Sequence, residues 1–148
     1  MNRPRYETEK DLEREQGIAY ALCKTWGVEL HKLPVHQHLD YAATRDGDTV
    51  KGLIEIKWRS FVWGDYPDVM LSASKVLKAR EFWEAFVVPT AFVVSDRTGD
   101  IRYCDLYNDK RTLYIGGRTL KTRDSDDIEA IVRIPNADFK PLVSDTPK

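Results

Sequence analysis

The stretch LDYAATRDGDTVKGLIEIK, residues 39–57, decides how this chain folds. Asp46, Gly47 and Asp48 are turn formers between two apolar arms, the pattern of a β-hairpin. The second arm, read as residues 50–59, alternates. Ile54, Ile56 and Trp58 share one face, and Glu55, Lys57 and Arg59 share the other. A turn centred on Gly47 and Asp48 sets Asp40 directly opposite Glu55. A turn at Asp46 and Gly47 sets Asp40 opposite Leu53 and diagonal to Glu55. Both registers leave the two carboxylates on one face, because side chains on a strand repeat with period two. Opposed side chains stand about 5 Å apart and diagonal ones about 7 Å. Two carboxylates that close repel each other unless positive charge lies between them. Lys57, on the same face, is one candidate, and a divalent cation is another. Hard oxygen donors suit Mg²⁺. A plain surface hairpin with a cross-strand Lys–Asp pair is the alternative that Glu-x-Lys on a strand permits.

The flanking segments predict that both faces of the hairpin are covered. Residues 7–26 read as an amphipathic helix whose apolar line runs Leu12, Ala19, Leu22 and Trp26, with Gly27 as its stop. Glu15 falls on that line, and a carboxylate facing a core must find a partner or a cation. The line shifted by one residue, through Ile18, would leave Glu15 flanking the stripe. Residues 28–33 read as a short strand ended by Pro34, and residues 39–45 as a second. After a break at residues 64–67, Ser72 reads as the N-cap of a second helix to about Phe86, with Val76, Ala79, Trp83 and Phe86 buried. Residues 90–95 read as a buried strand. Residues 96–100 turn into another strand at 101–107. Beyond it a further hairpin, with Gly116 and Gly117 at its turn, and a closing strand or helix are expected. The order is α-β-β-β-α-β: an α/β fold with a mixed central sheet flanked by helices and an extra C-terminal β-hairpin. One domain over residues 1–148 is expected, with its core in about 7–96 and an elaboration at 97–143.

Composition limits the function classes. Hydrophobic residues make up 42% and charged residues 32%, a globular rather than a disordered balance. No apolar run approaches the roughly 18 residues that span a bilayer, and the start lacks the apolar centre of a secretory signal. Cys23 and Cys104 form no disulfide framework and read as reduced thiols in a cytoplasmic protein, with Cys104 buried. The net charge of -1 gives no global attraction to nucleic acid, so any contact with DNA must use local charge. His36, His38 and Asp40 spell H-x-H-x-D, but His31 is the only other histidine and no cysteine lies nearby, so zinc is the weaker reading. Between residues 97 and 123, Arg102, Lys110, Arg111, Arg118 and Lys121 alternate with Tyr103, Tyr107 and Tyr114. That mixture suits a sugar-phosphate contact and an ordinary solvated ribbon equally.

An acidic helix, a hairpin carrying Asp40, the run Glu55-Ile56-Lys57 and a following helix together resemble the PD-(D/E)xK nuclease superfamily, with its restriction-endonuclease-like fold. The similarity covers roughly residues 7–96. Small phage-type nucleases and archaeal Holliday-junction resolvases of this superfamily show a similar compact order. Leu39 stands where the motif has proline, and Pro67-Asp68 follows Glu-x-Lys in the wrong order to serve instead. The resemblance implies an endonuclease that hydrolyses phosphodiester bonds in DNA, in the cytoplasm (a host's, if phage-encoded), as a homodimer where two strands are cut. It implies that Asp40, Glu55 and the Ile56 carbonyl hold Mg²⁺, or Mn²⁺ in its place. Glu15 would complete the site directly or through water, with Glu13 or Glu9 as alternatives. Lys57 would orient or activate the attacking water. Lys75 and Lys78 near the start of the second helix, with Arg59, would contact DNA; an ordinary solvated helix face is the other reading of Lys75. Trp63 could line the cleft, whereas Trp58 shares parity with the core residues. A nuclease fold kept only as a nucleic-acid-binding or assembly module is the rival class, and a hydrolase of another phosphate ester is a third.

Overall fold

The structure, a computed structural model, describes residues 9–34, 39–45, 47, 49–106, 113–117 and 128–143, with the backbone alone at 113–117, 128 and 129. His36, His38, Asp46, Asp48, Tyr107, Lys110, Arg111, Arg118 and Lys121 lie outside the described residues, as does the side chain of Tyr114. The elements run α1 (Glu9–Trp26), β1 (Glu29–Lys32), β2 (Tyr41–Arg45), β3 (Thr49–Trp58), β4 (Asp68–Ser72), α2 (Ala73–Phe86), β5 (Thr90–Ser95), β6 (Ile101–Asp105), β7 (Leu113–Gly117), β8 (Ile128–Pro135) and β9 (Lys140–Pro141). A six-stranded sheet takes the order β1-β2-β3-β5-β6-β9, and a three-stranded sheet the order β4-β8-β7. In the larger sheet β3 and β5 are parallel and the other pairs antiparallel. That is the mixed sheet the sequence predicts.

The β2–β3 register answers the question the hairpin raised. Tyr41 lies opposite Ile54 and Ala43 opposite Gly52, so Asp40 falls level with Glu55. Between Ala43 and Thr44 the pairing slips by one, and Thr44 faces Val50. Neither continuous register holds along the whole hairpin: an irregularity absorbs one residue near the turn and leaves the two acids opposed.

Each face of the larger sheet has its own core. Ile18 and Leu22 of α1 pack on Tyr41, Ala43, Ile54, Ile56 and Val93. The helix line therefore passes through Ile18, the shifted alternative, and Gly27 ends the helix at φ 63, a conformation only glycine takes without strain. On the other face Phe92, Val94 and Cys104 share a cluster with Val76 and Ala79 of α2, Val69 and Leu71 of β4, and Val132 and Ile134 of β8.

Three expectations are corrected. Residues 68–72 form β4, a strand the sequence reading passed over. Gly116 and Gly117 are not a turn; they end β7, paired with Glu129 and Ile128. Phe86 is exposed rather than buried, because α2 stops there on Val87 in the left-handed conformation. The expected C-terminal hairpin is β7–β8, and it joins β4 rather than the larger sheet.

Candidate active site

Strand β3 runs through the middle of the larger sheet, between β2 and β5. Leu53, Ile54, Glu55 and Ile56 are all buried, and Glu55 is 0% exposed. A wholly buried carboxylate ordinarily demands hydrogen-bond donors. Neither Glu55 oxygen has a hydrogen-bond partner among the described residues. Two ammonium groups flank it instead: Lys57 Nζ lies 3.4 Å from Oε2 and Lys75 Nζ 3.4 Å from Oε1. Both contacts are long for charge-assisted hydrogen bonds, which run about 2.7–2.9 Å.

Asp40 closes the site from the start of β2. Its Oδ2 accepts a 2.7 Å hydrogen bond from the Ile56 N–H, and its own N–H donates to the Ile54 carbonyl at 3.0 Å. These two bonds continue the β2–β3 pairing and fix the carboxylate beside Ile56. Lys32, at the end of β1, reaches 4.0 Å from Asp40 Oδ1. Lys32 also donates a 2.7 Å bond to Glu15 Oε2, which accepts a second, 2.9 Å bond from the Tyr41 hydroxyl. Glu15 is thus the helix carboxylate that turns toward the pocket, its side chain 11% exposed, while Glu9 and Glu13 face outward. Asp11, Glu15, Asp40, Ile56, Lys57, Trp58 and Arg59 line a pocket of about 300 Å³.

The electrostatics show which acids are under stress. Burial pushes the Glu55 carboxyl up from 4.5 to about 7; the Asp40 charge adds to this, and Lys57 and Lys75 oppose it without cancelling it. Asp40 is raised as well, first by burial and then by Glu15, against the pull of the Ile56 N–H, Lys57 and Lys32. Both carboxyls would ionise more readily beside further positive charge.

That donor set can be tested against Mg²⁺. Among the described residues no group of three or more His, Cys, Asp or Glu side chains gathers as metal ligands. Mg²⁺ does not need one: one or two carboxylates, completed by water and phosphate oxygens, is its ordinary protein complement. Asp40, which lines the pocket, and Glu55, which lies wholly buried behind that lining with an ammonium 3.4 Å from each oxygen, are carboxylates of that kind. Glu15, engaged by Lys32 and Tyr41, stands one step back.

Of the residues expected to touch DNA, Arg59 lines the pocket and donates to the Met70 carbonyl at 3.1 Å. Burial pulls its guanidinium below the ordinary value, and the Glu55 charge pulls it up. Lys75 turns inward to Glu55 rather than onto a solvated face. Lys78 pairs along the helix with Glu81 at 2.9 Å and does not line the pocket. Trp63 does not line the cleft either. Its ring packs on Phe61 and Phe139, and its Nε1 donates to the Asp100 carbonyl. Trp58 packs against the α1 core and borders the pocket, with the Arg14 guanidinium 3.5 Å from its ring centre. Arg102 is spent on Asp100 and the Trp63 ring rather than left as a backbone contact. His31 bonds Thr44 at 2.9 Å. Cys104 is buried, as expected.

Sequence reasoning missed Lys32 and Tyr41. The signal was present in the antiparallel pairing of β1 with β2, which sets Lys32 opposite Tyr41 at the end where Asp40 begins the hairpin.

Over residues 1–142 the chain matches the family described as "Phage putative PDDEXK endonuclease". Among solved structures it is similar to Archaeoglobus fulgidus Hjc, a Holliday junction resolvase from an archaeal hyperthermophile. The TM-score is 0.50 at 15% identity, over 87% of this chain and 86% of that one. At that identity the likeness speaks for the fold alone, and it bears out the restriction-endonuclease-like expectation. Among curated proteins none matches the chain. Matched along nearly its whole length, the chain belongs to the phage PDDEXK endonuclease family.

Proposed function

We propose that this protein is a Mg²⁺-dependent endonuclease that hydrolyses phosphodiester bonds in DNA, branched DNA included. The observation that carries the reading is the Glu55 carboxylate: wholly buried, level with Asp40, and met by Lys57 and Lys75, each 3.4 Å from one of its oxygens. Likeness in fold to a Holliday junction resolvase supports DNA as the substrate.

Asp40, Glu55 and the Ile56 carbonyl would hold the metal, with Glu15 positioning the surrounding water through its Lys32 and Tyr41 contacts. When bound, the cation lowers the pKa of water and neutralises charge that develops on the phosphate. Lys57, on the strand that carries Glu55, orients the attacking water and stabilises the same charge. Lys75 holds the second Glu55 oxygen, so that its carboxylate keeps one orientation. Arg59 offers a guanidinium to the phosphate backbone at the pocket rim. A homodimer would present two such sites to two strands.

Supercoiled plasmid and a branched DNA, incubated with and without Mg²⁺, test the reading. Nicking should require the metal, continue with Mn²⁺, and fall at least about a hundredfold in Lys57→Ala, the order seen when a group stabilising transition-state charge is removed. Retention of DNA without metal and without cleavage would show a binding module instead. Release of phosphate from small esters alone would show a different hydrolase.

A further inference from the structure

A second groove opens beside the catalytic pocket, and Arg59 belongs to the walls of both. It encloses about 550 Å³ and is lined by Phe61, Tyr66, Met70, Asp68 and Arg133 among others. Its surface is mainly apolar and aromatic, with Arg59, Arg133 and the Asp68 carboxylate among its lining. Tyr66 is 62% exposed and Met70 47% exposed, both in the lining of this one groove.

The groove wall is built rather than loose. Gly64 takes φ 103 and turns the chain. The Val62 N–H donates to Asp65 Oδ2 at 2.9 Å, and the Asp65 N–H returns to the Val62 carbonyl at 2.9 Å. Asn136, beyond β8, donates its side-chain amide to the Tyr66 carbonyl at 2.6 Å and its N–H to the Pro67 carbonyl at 3.0 Å. The Tyr66 ring meets Phe61 edge-on at 6.2 Å, and Phe61 rests on Trp63. The Tyr66 ring is therefore presented from a fixed backbone, so a ligand that stacks on it pays little ordering cost.

A planar apolar group joined to an anion fits this lining. A strand whose phosphate lies at Lys57 and Arg59 continues along Arg59 into the groove. There the lining offers the Tyr66 ring to a base, while Arg133 is already paired with Asp68 at 3.6 Å, which leaves Arg59 as the cation for the phosphate. A base inside a duplex is stacked on its neighbours and has no free face to offer, so the groove selects a base that has left the stack.

We propose that the groove between Tyr66, Met70 and Arg133 holds one unstacked nucleobase beside the scissile phosphate, so that the enzyme favours DNA with an unpaired nucleotide at that position. The inference rests on the nuclease reading and names its substrate class.

The test uses two DNAs of one sequence, fully paired or carrying one unpaired nucleotide next to the mapped cut, both incubated with full-length protein and Mg²⁺. Wild type should cut the second faster. Tyr66→Ala should reduce that preference roughly tenfold, the order expected for losing one base–aromatic stack, and Tyr66→Phe should keep it. With 5-iodouracil as the unpaired base, irradiation should crosslink the DNA to Tyr66. Equal preference in wild type and Tyr66→Ala, or a crosslink mapping away from residues 59–70 and 133, overturns the groove assignment and leaves the nuclease standing. Failure of wild type to cut any DNA removes the nuclease reading, and the groove assignment with it.

Discussion

Glu55 is a buried carboxylate whose charge costs the fold stability, and the proposed function needs that charge. Burial pushes its carboxyl up to about 7 from an ordinary 4.5, so between those values the folded chain holds a proton that the unfolded chain has released. Its contribution to stability is fully present below about 4.5, declines as pH rises, and is lost above about 7. At about 1.4 kcal/mol per pKa unit the swing is roughly 3 kcal/mol, and the raised Asp40 adds to it in the same direction. Metal-free protein should therefore show a lower Tm at pH 8 than at pH 5, measured in chelator. Glu55→Gln, which keeps the shape without the charge, should flatten much of that slope and cut no DNA. Parallel Tm curves for the two proteins would mean that Glu55 is not strained. That Glu55 and Lys57 share one face of a strand was legible in the sequence, because alternation on a strand is a local pattern. Lys32 was not, because its role depends on how β1 pairs with β2 and how α1 lies across them.

At the scale of elements, α1 aims Glu15, and its packing decides where Glu15 ends up. The sequence offered two apolar lines one residue apart, and helix periodicity alone does not separate them. The structure buries Ile18 and Leu22 at the centre and leaves Leu12 at the fringe, which turns Glu15 to the edge where Lys32 and Tyr41 receive it. Leu22→Ala should cost about 3 kcal/mol, as truncation of a fully buried leucine does. Leu12→Ala should cost less than about 1 kcal/mol. Urea unfolding measures both, and equal losses would place the helix face wrongly. Strand β4 shows the opposite limit of legibility. Its segment, DVMLS, is squeezed between a turn and the start of α2, and its partner β8 lies some sixty residues further along the chain. Phe86 misled for a related reason: it keeps the helical spacing but falls where α2 has run out of core.

Across the whole molecule, the larger sheet is a support for β3. The α1 core fixes its Ile54 and Ile56 face, and α2 with the second sheet covers the other, where Phe92 and Val94 flank Glu55 and Lys57 across the parallel pairing. The layering follows from the strand and helix order, which the sequence carries as periodicity. Which strands join the second sheet does not, because that pairing is long-range. With a formal net charge of -1 the molecule as a whole does not attract DNA, so the contact proposed above would depend on the few cations beside the pocket and on a metal ion bound there. No helix among the described residues is long and apolar enough to cross a membrane. The most direct test is anomalous diffraction from crystals soaked in Mn²⁺. The account predicts a peak within bonding distance of both the Asp40 and Glu55 carboxylates, lost in Asp40→Asn. Mn²⁺ bound elsewhere, in a protein that still cuts DNA, would contradict it.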